Sequence, residues 1–480
     1  MSETPRLFFD VSFVSSSTAN TGIHRVVRHL LRELIDDPDW HVVPFCISDR
    51  GSRAVQRHEV NRDIFAPFGL LTNDELRTQA VPTQRERGLR VLSGFRASML
   101  ERWIPRTRET IARCIPSPRW QKFILGARGE PGSLVHLLFK LLGFRQLGVT
   151  GNAPLKFCER LSPTDHVLFV DATWHVTRFE EIIGDMYEQG ARITTVVHDV
   201  IPLQFPACVH PGLTRAFEPW LRAVARYSER IICVSRAEAA NIRRTFISLG
   251  LPVPKGEFEH FDLSASRPLN GAQNILRTQR SQRQIAQIVS LAAPCFLMVG
   301  TLEPRKNHDF ALESFFAFRR KYSVGSLLVI GAPGWNTDAT QDILRGSKRA
   351  SNNLLWLQNA DDSVLDRAYD HASAVLQVSL CEGFGLPVVE SMIRGRPLIC
   401  SEIAVFREIA GNYPLAYVEA SDIDAMVSAM LLASNQNGTS VMLDAPARRR
   451  LSSGWSVSAN QVSKLLRQPA APRSASPPYN

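Results

Sequence analysis

Two glutamates, Glu382 and Glu390, stand eight positions apart on either side of a glycine-rich turn. The turn, residues 383–387, has the sequence Gly-Phe-Gly-Leu-Pro, and the short apolar segment 374–379 before it predicts a buried strand. Pro387 suits the first turn of a helix, so the expected order is strand, loop and helix start. The helix start favours an anion, and the two carboxylates can accept hydroxyl groups of a sugar. Taken alone, the glutamates are equally consistent with a surface loop.

Two adjacent cations, Arg305 and Lys306, form a second candidate site. The apolar run 295–299 before them predicts a strand, and a helical pattern follows, so both cations are expected at the carboxyl end of a strand. Fixed Arg and Lys charges can neutralise a departing diphosphate, and Arg can do so in a bidentate fashion. An exposed basic turn is the alternative for these two residues by themselves.

A third candidate is the segment 18–25, Thr-Ala-Asn-Thr-Gly-Ile-His-Arg, between the first predicted strand and the first predicted helix. Gly22 would let the backbone approach a phosphate at the helix N-terminus, and Arg25 is expected close to it. Glycine is common in such turns, and the G-x-G-x-x-G pattern of dinucleotide-binding proteins does not occur in the chain.

His198 and Asp199 follow the strand-like segment 194–197, and Ser235 and Arg236 follow another predicted strand. A lone histidine is more often a packed core or loop residue than a catalytic one, and serine after a strand is frequent for turn formation alone. All four residues would nevertheless lie at carboxyl ends of strands, where open α/β sheets bind their ligands.

Together these segments resemble the retaining glycosyltransferases of family four, which have the GT-B fold. Glu382, seven intervening residues and Glu390 match the acidic motif of that family, and the other segments occur in the order that the family requires. The resemblance extends from about residue 6 to residue 467 and leaves out residues 85–160 and the last dozen.

The resemblance implies an α/β protein of GT-B fold, with two doubly wound Rossmann-like domains that face each other across a cleft. The catalytic residues it implies are His198, Glu382, Lys306 and Arg305, and Asp199 is carried over with His198. The donor-binding residues it implies are Gly22, Arg305, Lys306, Gly383, Phe384, Gly385, Leu386 and Glu390. Arg305 and Lys306 would bind the diphosphate, Glu382 the hydroxyls of the donor sugar, and Glu390 the ribose.

Alternating strands and helices predict the domain organisation. The first domain is expected at residues 1–285 with a basic insertion at about 85–160, the second at 286–467, and a disordered Pro-, Ala- and Ser-rich tail at 468–480. In the first domain, the apolar residues of one helix trace a single face, and a further helix is expected at 211–228. The apolar residues of that face are Ile23, Val26, Val27, Leu30, Leu31 and Leu34.

The formal charge of +10 is concentrated in one segment. Residues 85–145 contain thirteen Arg or Lys and four Glu, a net charge of +9, mixed with large apolar side chains. Such a mixture predicts contact with an anionic membrane surface, and a solvated insertion is the alternative. The nucleic-acid-binding motifs that would favour a nucleic-acid partner do not occur, so none is expected.

Composition adds only broad limits. A chain that is 44% hydrophobic and 21% charged, with scattered cysteines, is typical of a globular protein in a reducing compartment. Neither a signal peptide nor a bilayer-spanning run is recognised, which predicts a cytoplasmic protein, peripheral at most to the inner face of the membrane. His-Glu-x-x-His and Cys-x-x-Cys patterns are absent, so no metal is expected at the reaction centre.

The predicted function is transfer of a sugar, with retention of configuration, from a nucleotide diphosphate donor to a glycan or lipid-linked acceptor. The segments Thr-Gly-Ile-x-Arg-Val and His-Asp-x-Ile-Pro-Leu resemble bacterial mannosyl- and rhamnosyltransferases of surface polysaccharide synthesis, which makes GDP-mannose the first candidate donor. No other cofactor is expected, and the oligomeric state stays open. The alternatives are a nucleotide-sugar epimerase or phosphorylase of the same fold, or a non-catalytic sugar-nucleotide sensor.

Overall fold

The computed structural model describes residues 4–15, 17, 21–49, 51–66, 70, 156–253, 258–264, 279–346, 353–436 and 454–469. The predicted membrane-binding segment 85–145 and most of the tail 468–480 lie outside the described residues. No helix among the described residues is long and apolar enough to cross a bilayer.

The first half of the described chain forms a sheet of seven strands in the order β3-β2-β1-β4-β5-β6-β7. Each neighbouring pair is parallel except β2 and β3, which are antiparallel. The strands are β1 Arg6–Asp10, β2 His41–Ser48, β3 Gly51–Ala54, β4 His166–Phe169, β5 Arg192–Val197, β6 Arg230–Cys233 and β7 Glu259–His260. Every residue of β4 is buried, as expected for a parallel strand covered on both faces.

Four helices accompany this sheet in the described residues: α1 Gly22–Leu34, α2 Phe179–Glu188, α3 Pro211–Tyr227 and α4 Arg236–Ser248. Shorter helical segments lie at Arg57–Glu59, Val60–Phe65, Thr173–His175, Ile201–Gln204 and Pro206–Cys208. Helix α3 confirms the helix expected at 211–228. On α1, five of the six predicted apolar residues are buried and Ile23 is half-buried, but His24 and Arg28 are buried as well.

The second half forms a parallel sheet of six described strands in the order β10-β9-β8-β11-β12-β13. These are β8 Cys295–Val299, β9 Ser326–Ile330, β10 Leu354–Leu357, β11 Ala374–Gln377, β12 Leu398–Ser401 and β13 Ala416–Val418. The helices described here are α5 Gln279–Val289, α6 His308–Tyr322, α7 Asp338–Gly346, α8 Asp362–His371, α9 Leu386–Ile393, α10 Ala404–Ala410, α11 Ile423–Asn435 and α12 Trp455–Arg467, with a 3₁₀ turn at Pro304–Lys306.

Strand order reverses between β8 and β11, because β9 and β10 extend to one side and β12 and β13 to the other. Loops that follow two such strands diverge to opposite faces and leave a crevice beyond their carboxyl ends, which is where open α/β sheets bind ligands. The loop after β8 carries residues 300–307, and the loop after β11 carries residues 378–385. The fold therefore brings the two strongest sequence motifs to one edge of the second sheet.

Each sheet has its own hydrophobic core. The helices at the two ends of the second half, α5 and α12, pack against different halves of the chain. Helix α5 contacts α8, where Arg280 donates to the Gln358 carbonyl at 2.9 Å. Helix α12 returns to the first half and packs on α1, where the rings of His29 and Trp455 stack with centroids 4.7 Å apart. The division at residues 285 and 467 stays a prediction.

Candidate active site

The two predicted cations, Arg305 and Lys306, lie against Glu382. Arg305 Nη1 donates to Oε2 of the carboxylate at 2.6 Å, and Lys306 Nζ donates to Oε1. The Ser379 hydroxyl donates to the same Oε1 at 2.7 Å. The Leu380 main-chain N–H donates to the Arg305 carbonyl at 2.7 Å, so the two loops are joined through the backbone as well. These residues form one cluster at the switch point of the second sheet.

The Glu382 cluster consists of ionised groups held out of water. Burial alone would raise the pKa of Glu382, but Arg305 and Lys306 outweigh it and lower this pKa to about 2. Burial also works against the charged form of Arg305, yet Glu382 and Glu303 raise the Arg305 pKa above its ordinary value. Arg305 is therefore charged, and Arg305 and Lys306 are both already positioned, with Glu382 as the counter-ion that an incoming anion would have to replace in part.

Gly383 brings the loop after β11 of the second sheet into contact with the turn after β5 of the first sheet. A Cβ added to Gly383 would lie 2.4 Å from the His198 carbonyl oxygen and 3.0 Å from Asp199 Cβ. The Ser235 hydroxyl donates to the Gly383 carbonyl at 3.0 Å. Because only glycine permits this approach, Gly383 places His198 and Asp199 next to the Glu382 cluster.

A second polar contact joins the two halves at the N-terminus of α4. The Glu408 carboxylate on α10 accepts from the Arg236 N–H at 2.9 Å and from the Ala237 N–H at 2.7 Å. An acid suits this position because the first N–H groups of a helix lack partners within the helix. Ser235 and Arg236, singled out from the sequence, thus lie at the junction of the two halves.

His198 is buried, and its Nε2 lies 2.8 Å from the Val170 carbonyl oxygen. A carbonyl can only accept, so Nε2 carries the proton and Nδ1 is left as an acceptor. Burial lowers the pKa of His198 to about 4, against the opposing effect of the Val170 hydrogen bond. The imidazole is therefore neutral near pH 7, and it can accept a hydrogen bond from a hydroxyl through Nδ1.

Glu238 fixes the turn that carries His198 and Asp199, and sequence reasoning missed it. Its Oε1 accepts from the Val200 N–H at 2.9 Å, and its own N–H donates to Ser235 Oγ at 3.1 Å. Burial and the neighbouring Asp199 raise the pKa of Glu238 to about 8. The Ser-x-x-Glu spacing of a capping box was the signal that could have found this residue.

The turn between Gly383 and the next helix is shaped by a second glycine. Gly385 has a φ of +103°, and a Cβ there would lie 2.5 Å from Phe406 Cε1. The side chains of Phe384 and Leu386 are buried, and α9 begins at Leu386. The expected loop and helix start are confirmed, whereas binding of a phosphate by this backbone stays a prediction.

Glu390 lies in a separate polar cluster with Arg25 and Tyr369. The Tyr369 hydroxyl donates to Oε2 of Glu390 at 2.7 Å. Arg25 Nη1, from the first half of the chain, lies 2.5 Å from Oε1 as an ion pair. Glu390 is only 1% exposed, so both carboxylate oxygens are buried, and Oε1 keeps a second lone pair beside the one that faces Arg25. Tyr369 had no local sequence signal that could have revealed it.

Gly22 begins α1, three residues before Arg25. A Cβ added at Gly22 would meet nothing within 4 Å, so the protein's own packing does not require a glycine there. Open space at this position is compatible with the predicted role of Gly22 beside donor phosphates, which stays a prediction.

Two Asp-x-Asp sequences, at 37–39 and 422–424, have local structural roles. Asp37 accepts from the Asp39 N–H at 2.9 Å, and Asp422 caps α11 by accepting from the Ala425 N–H at 2.9 Å. The described residues contain no group of three or more His, Cys, Asp or Glu placed to hold a metal ion. Metal-independent chemistry remains a prediction from the sequence.

The predicted site residues thus form two neighbouring groups on the loop after β11 and on α9. Arg305, Lys306 and Glu382 meet directly, and Gly383 adds His198 and Asp199 from the other sheet. Glu390 lies further along α9 with Arg25 and Tyr369.

Comparison with known families gives one match in the second half of the chain. Residues 282–450 match the family model described as glycosyl transferases group 1. This region contains both sequence motifs of the Glu382 cluster as well as Glu390.

Curated relatives include two mannosyltransferases of Escherichia coli. The serotype-specific mannosyltransferase WbdA is 34% identical over 291 residues, which cover 58% of this chain and 34% of WbdA. The O-antigen chain mannosyltransferase B is 32% identical over 146 residues, which cover 29% of this chain and 36% of that protein. The chain thus spans about a third of the length of the curated relatives it matches.

Among solved structures, sucrose-phosphate synthase from Thermosynechococcus elongatus matches 97% of this chain and 98% of its own length, with a TM-score of 0.54 and 15% identity. This likeness concerns the fold alone, and it agrees with the two parallel sheets described above. The resemblance predicted from the motifs is confirmed: the chain has the GT-B fold of glycosyltransferases, and it resembles bacterial mannosyltransferases.

Proposed function

We propose that this chain transfers a glycosyl unit, with retention of anomeric configuration, from a nucleotide-sugar donor to a hydroxyl of a glycan or lipid-linked acceptor. GDP-mannose is the first candidate donor, because the similar E. coli proteins are named as mannosyltransferases. The name of one of them, the O-antigen chain mannosyltransferase B, supports a role in cell-surface polysaccharide synthesis.

One observation carries the proposal: the Glu382 cluster places two charged donors beside a carboxylate at the switch point of the second sheet. Arg305 and Lys306 are held by Glu382 and would stabilise the negative charge that develops on a departing diphosphate. Because these cations are already oriented, little reorganisation is needed when the glycosidic bond to the diphosphate breaks. Two fixed cations offer this stabilisation without a divalent metal ion.

Across the Gly383 contact, His198 supplies an acceptor rather than a cation. Neutral His198 can accept a hydrogen bond from one hydroxyl of the donor sugar through Nδ1, while Glu382 can accept a hydrogen bond from another hydroxyl. The departing phosphate oxygen would take the proton of the acceptor hydroxyl on the same face of the sugar, which preserves the configuration. Sugar, leaving group and acceptor would then meet between the two sheets.

Glu390 provides a place for the nucleoside. Its Oε1 pairs with Arg25 and can accept one further hydrogen bond, and a ribose hydroxyl has the right chemistry to donate it. The proposed donor would therefore extend from the Glu382 cluster, which binds diphosphate and sugar, to the Glu390 cluster, which binds ribose.

The basic segment 85–145 supports a further part of the proposal, which is peripheral association with anionic lipid at the cytoplasmic face of the membrane. Each well-placed cation would contribute about 1 kcal/mol to such binding. Flotation with anionic vesicles tests this part separately, and failure to float at low salt would contradict it.

The decisive experiment measures release of free nucleoside diphosphate from a panel of nucleotide sugars, with and without candidate oligosaccharide acceptors. Acceptor-dependent release, together with a product whose anomeric configuration by NMR matches the donor, is the expected result. Phosphorolysis or epimerisation without such release would favour the phosphorylase or epimerase alternative. Binding without any turnover would favour a sensor.

A further inference from the structure

Arg25 connects the first half of the chain to the buried carboxylate of Glu390. It lies in the first turn of α1, and its guanidinium reaches across to α9, where Nη1 is 2.5 Å from Glu390 Oε1. Arg25 is half-buried, with 16% of its side chain exposed. The ion pair therefore exists only while α1 and α9 are held together.

The surroundings of Glu390 on the second half are fixed without Arg25. Tyr369 is fully buried on α8 and donates to Oε2 of Glu390. The Arg394 guanidinium lies 4.7 Å from the centre of the Tyr369 ring and pairs with Asp366. Both burial and the neighbouring Glu390 raise the pKa of Tyr369, so the phenol stays a donor.

Charge makes the contribution of Arg25 different from that of Tyr369. A buried carboxylate is costly unless a cation accompanies it, and Tyr369 is neutral. A second acid, Asp362 at the start of α8, also interacts electrostatically with Arg25 and with Glu390. Burial opposes the charged form of Arg25, but Glu390 and Asp362 outweigh it and raise the Arg25 pKa.

We propose that Arg25 is a positioning residue for the donor: its guanidinium pairs with the Glu390 carboxylate and orients it, so that Oε1 can accept a ribose hydroxyl. The inference rests on the proposed function, in which Glu390 binds the ribose. Its consequence is that ribose recognition requires α1 to lie against α9. A nucleoside diphosphate then binds well only when both halves of the chain contribute.

The test compares ribose recognition in the wild type and in Arg25→Gln, using GDP and 2′- and 3′-deoxy GDP as probes, with UDP and its deoxy forms as a second set. A hydrogen bond from a hydroxyl to a charged acceptor predicts that the wild type binds the ribo form about 10-fold more tightly than at least one deoxy form. Arg25→Gln should reduce this ratio to about 2-fold. Arg320→Gln, an exposed arginine on α6, is the matched control and should keep the wild-type ratio.

The ratio of affinities is a readout that a merely structural role would not change, since damage to the fold weakens ribo and deoxy ligands alike. Glu390→Gln should lose the discrimination too, and adding Arg25→Gln to it should cause no further loss. Arg25→Lys, which keeps the charge, should retain part of the ratio and serves if Arg25→Gln does not fold.

Undiminished discrimination in Arg25→Gln, with Glu390→Gln impaired, would overturn this inference alone. Full discrimination in Glu390→Gln would instead overturn the ribose site of the proposed function, and the inference with it. Absence of any nucleoside diphosphate binding by the wild type would overturn both.

Discussion

Replacing Gly383 by alanine should separate the two sheets at the reaction centre. The added Cβ would lie 2.4 Å from the His198 carbonyl oxygen, where ordinary contact begins near 3.4 Å. Neither atom can move by a rotamer change, because the Cβ is attached directly to the backbone of the loop after β11 and the oxygen belongs to the backbone of the turn after β5. The contact must therefore open by about 1 Å, which also stretches the 3.0 Å hydrogen bond from Ser235 to the Gly383 carbonyl.

The expected loss of activity follows from how steeply the reaction rate depends on the distance between the reacting groups. A displacement of about 1 Å between reacting groups can lower a rate by about 10²-fold, and forcing an extra methyl group into a packed contact costs about 1–3 kcal/mol. Gly383→Ala should therefore reduce acceptor-dependent release of nucleoside diphosphate by about 10²-fold. The two halves should stay folded, since neither Gly383 nor His198 is a member of either hydrophobic core.

The assay is the initial rate of nucleoside diphosphate release with saturating donor and acceptor, accompanied by circular dichroism to verify folding. Gly346→Ala is the matched control, because a Cβ there meets nothing within 4 Å, and it should behave like the wild type. A folded Gly383→Ala protein with a rate within 3-fold of the wild type would refute the claim that this contact assembles the site.

Two further predictions concern Glu238, which fixes the turn after β5, and Glu408, which joins the two halves. Glu238 has a pKa raised to about 8, so its folded form binds a proton more tightly than the unfolded chain does, and the free energy of unfolding should fall as pH rises from about 4.5 to 8. Glu238→Gln should remove about 1 kcal/mol or more of that fall in urea unfolding at pH 5 and 8, and an identical pH dependence in both proteins would contradict this. Glu408→Ala removes the acceptor for two N–H groups of α4 and should lower the free energy of unfolding by about 1 kcal/mol. The control is Glu402→Ala at an exposed position, which should change the free energy of unfolding by less than about 0.5 kcal/mol. Equal effects of these two substitutions would show that Glu408 has no special role.

The meeting of Arg305 and Lys306 with Glu382 was predictable because both motifs follow parallel strands. The carboxyl ends of parallel strands lie at the same edge of a sheet. The position of each motif after its strand, together with the strand order, therefore determines which loops meet. The same reasoning gave the helix start at Leu386 and the buried face of α1.

Contacts between the two sheets were beyond this kind of reasoning. Ser235 reaches Gly383, and Arg25 reaches Glu390, only because the two halves dock. No periodicity or turn signal encodes such docking. The pairing of Glu390 with Arg25 was likewise not expected, although Arg25 had been placed near Gly22.

The ends of the second half show another limit of patterns. The sequence pattern of an amphipathic helix predicts an apolar face, but it does not predict which sheet that face will cover. Helix α12 buries Trp455 and Val462 and packs on α1, and the carbonyls of Gln468 and Pro469 accept from Arg230 in the first half. The charge pattern of 85–145 remains a prediction, since that segment lies outside the described residues.

Lys306→Ala tests the central claim most directly, because Lys306 is nearly buried, contacts Glu382 and would bind the departing diphosphate. The measurement is the turnover rate with the best nucleotide-sugar donor, compared between the wild type, Lys306→Ala and the exposed control Lys321→Ala. The account predicts a loss of about 10²-fold or more for Lys306→Ala in a folded protein and none for Lys321→Ala. A rate for Lys306→Ala equal to that of the wild type would contradict it.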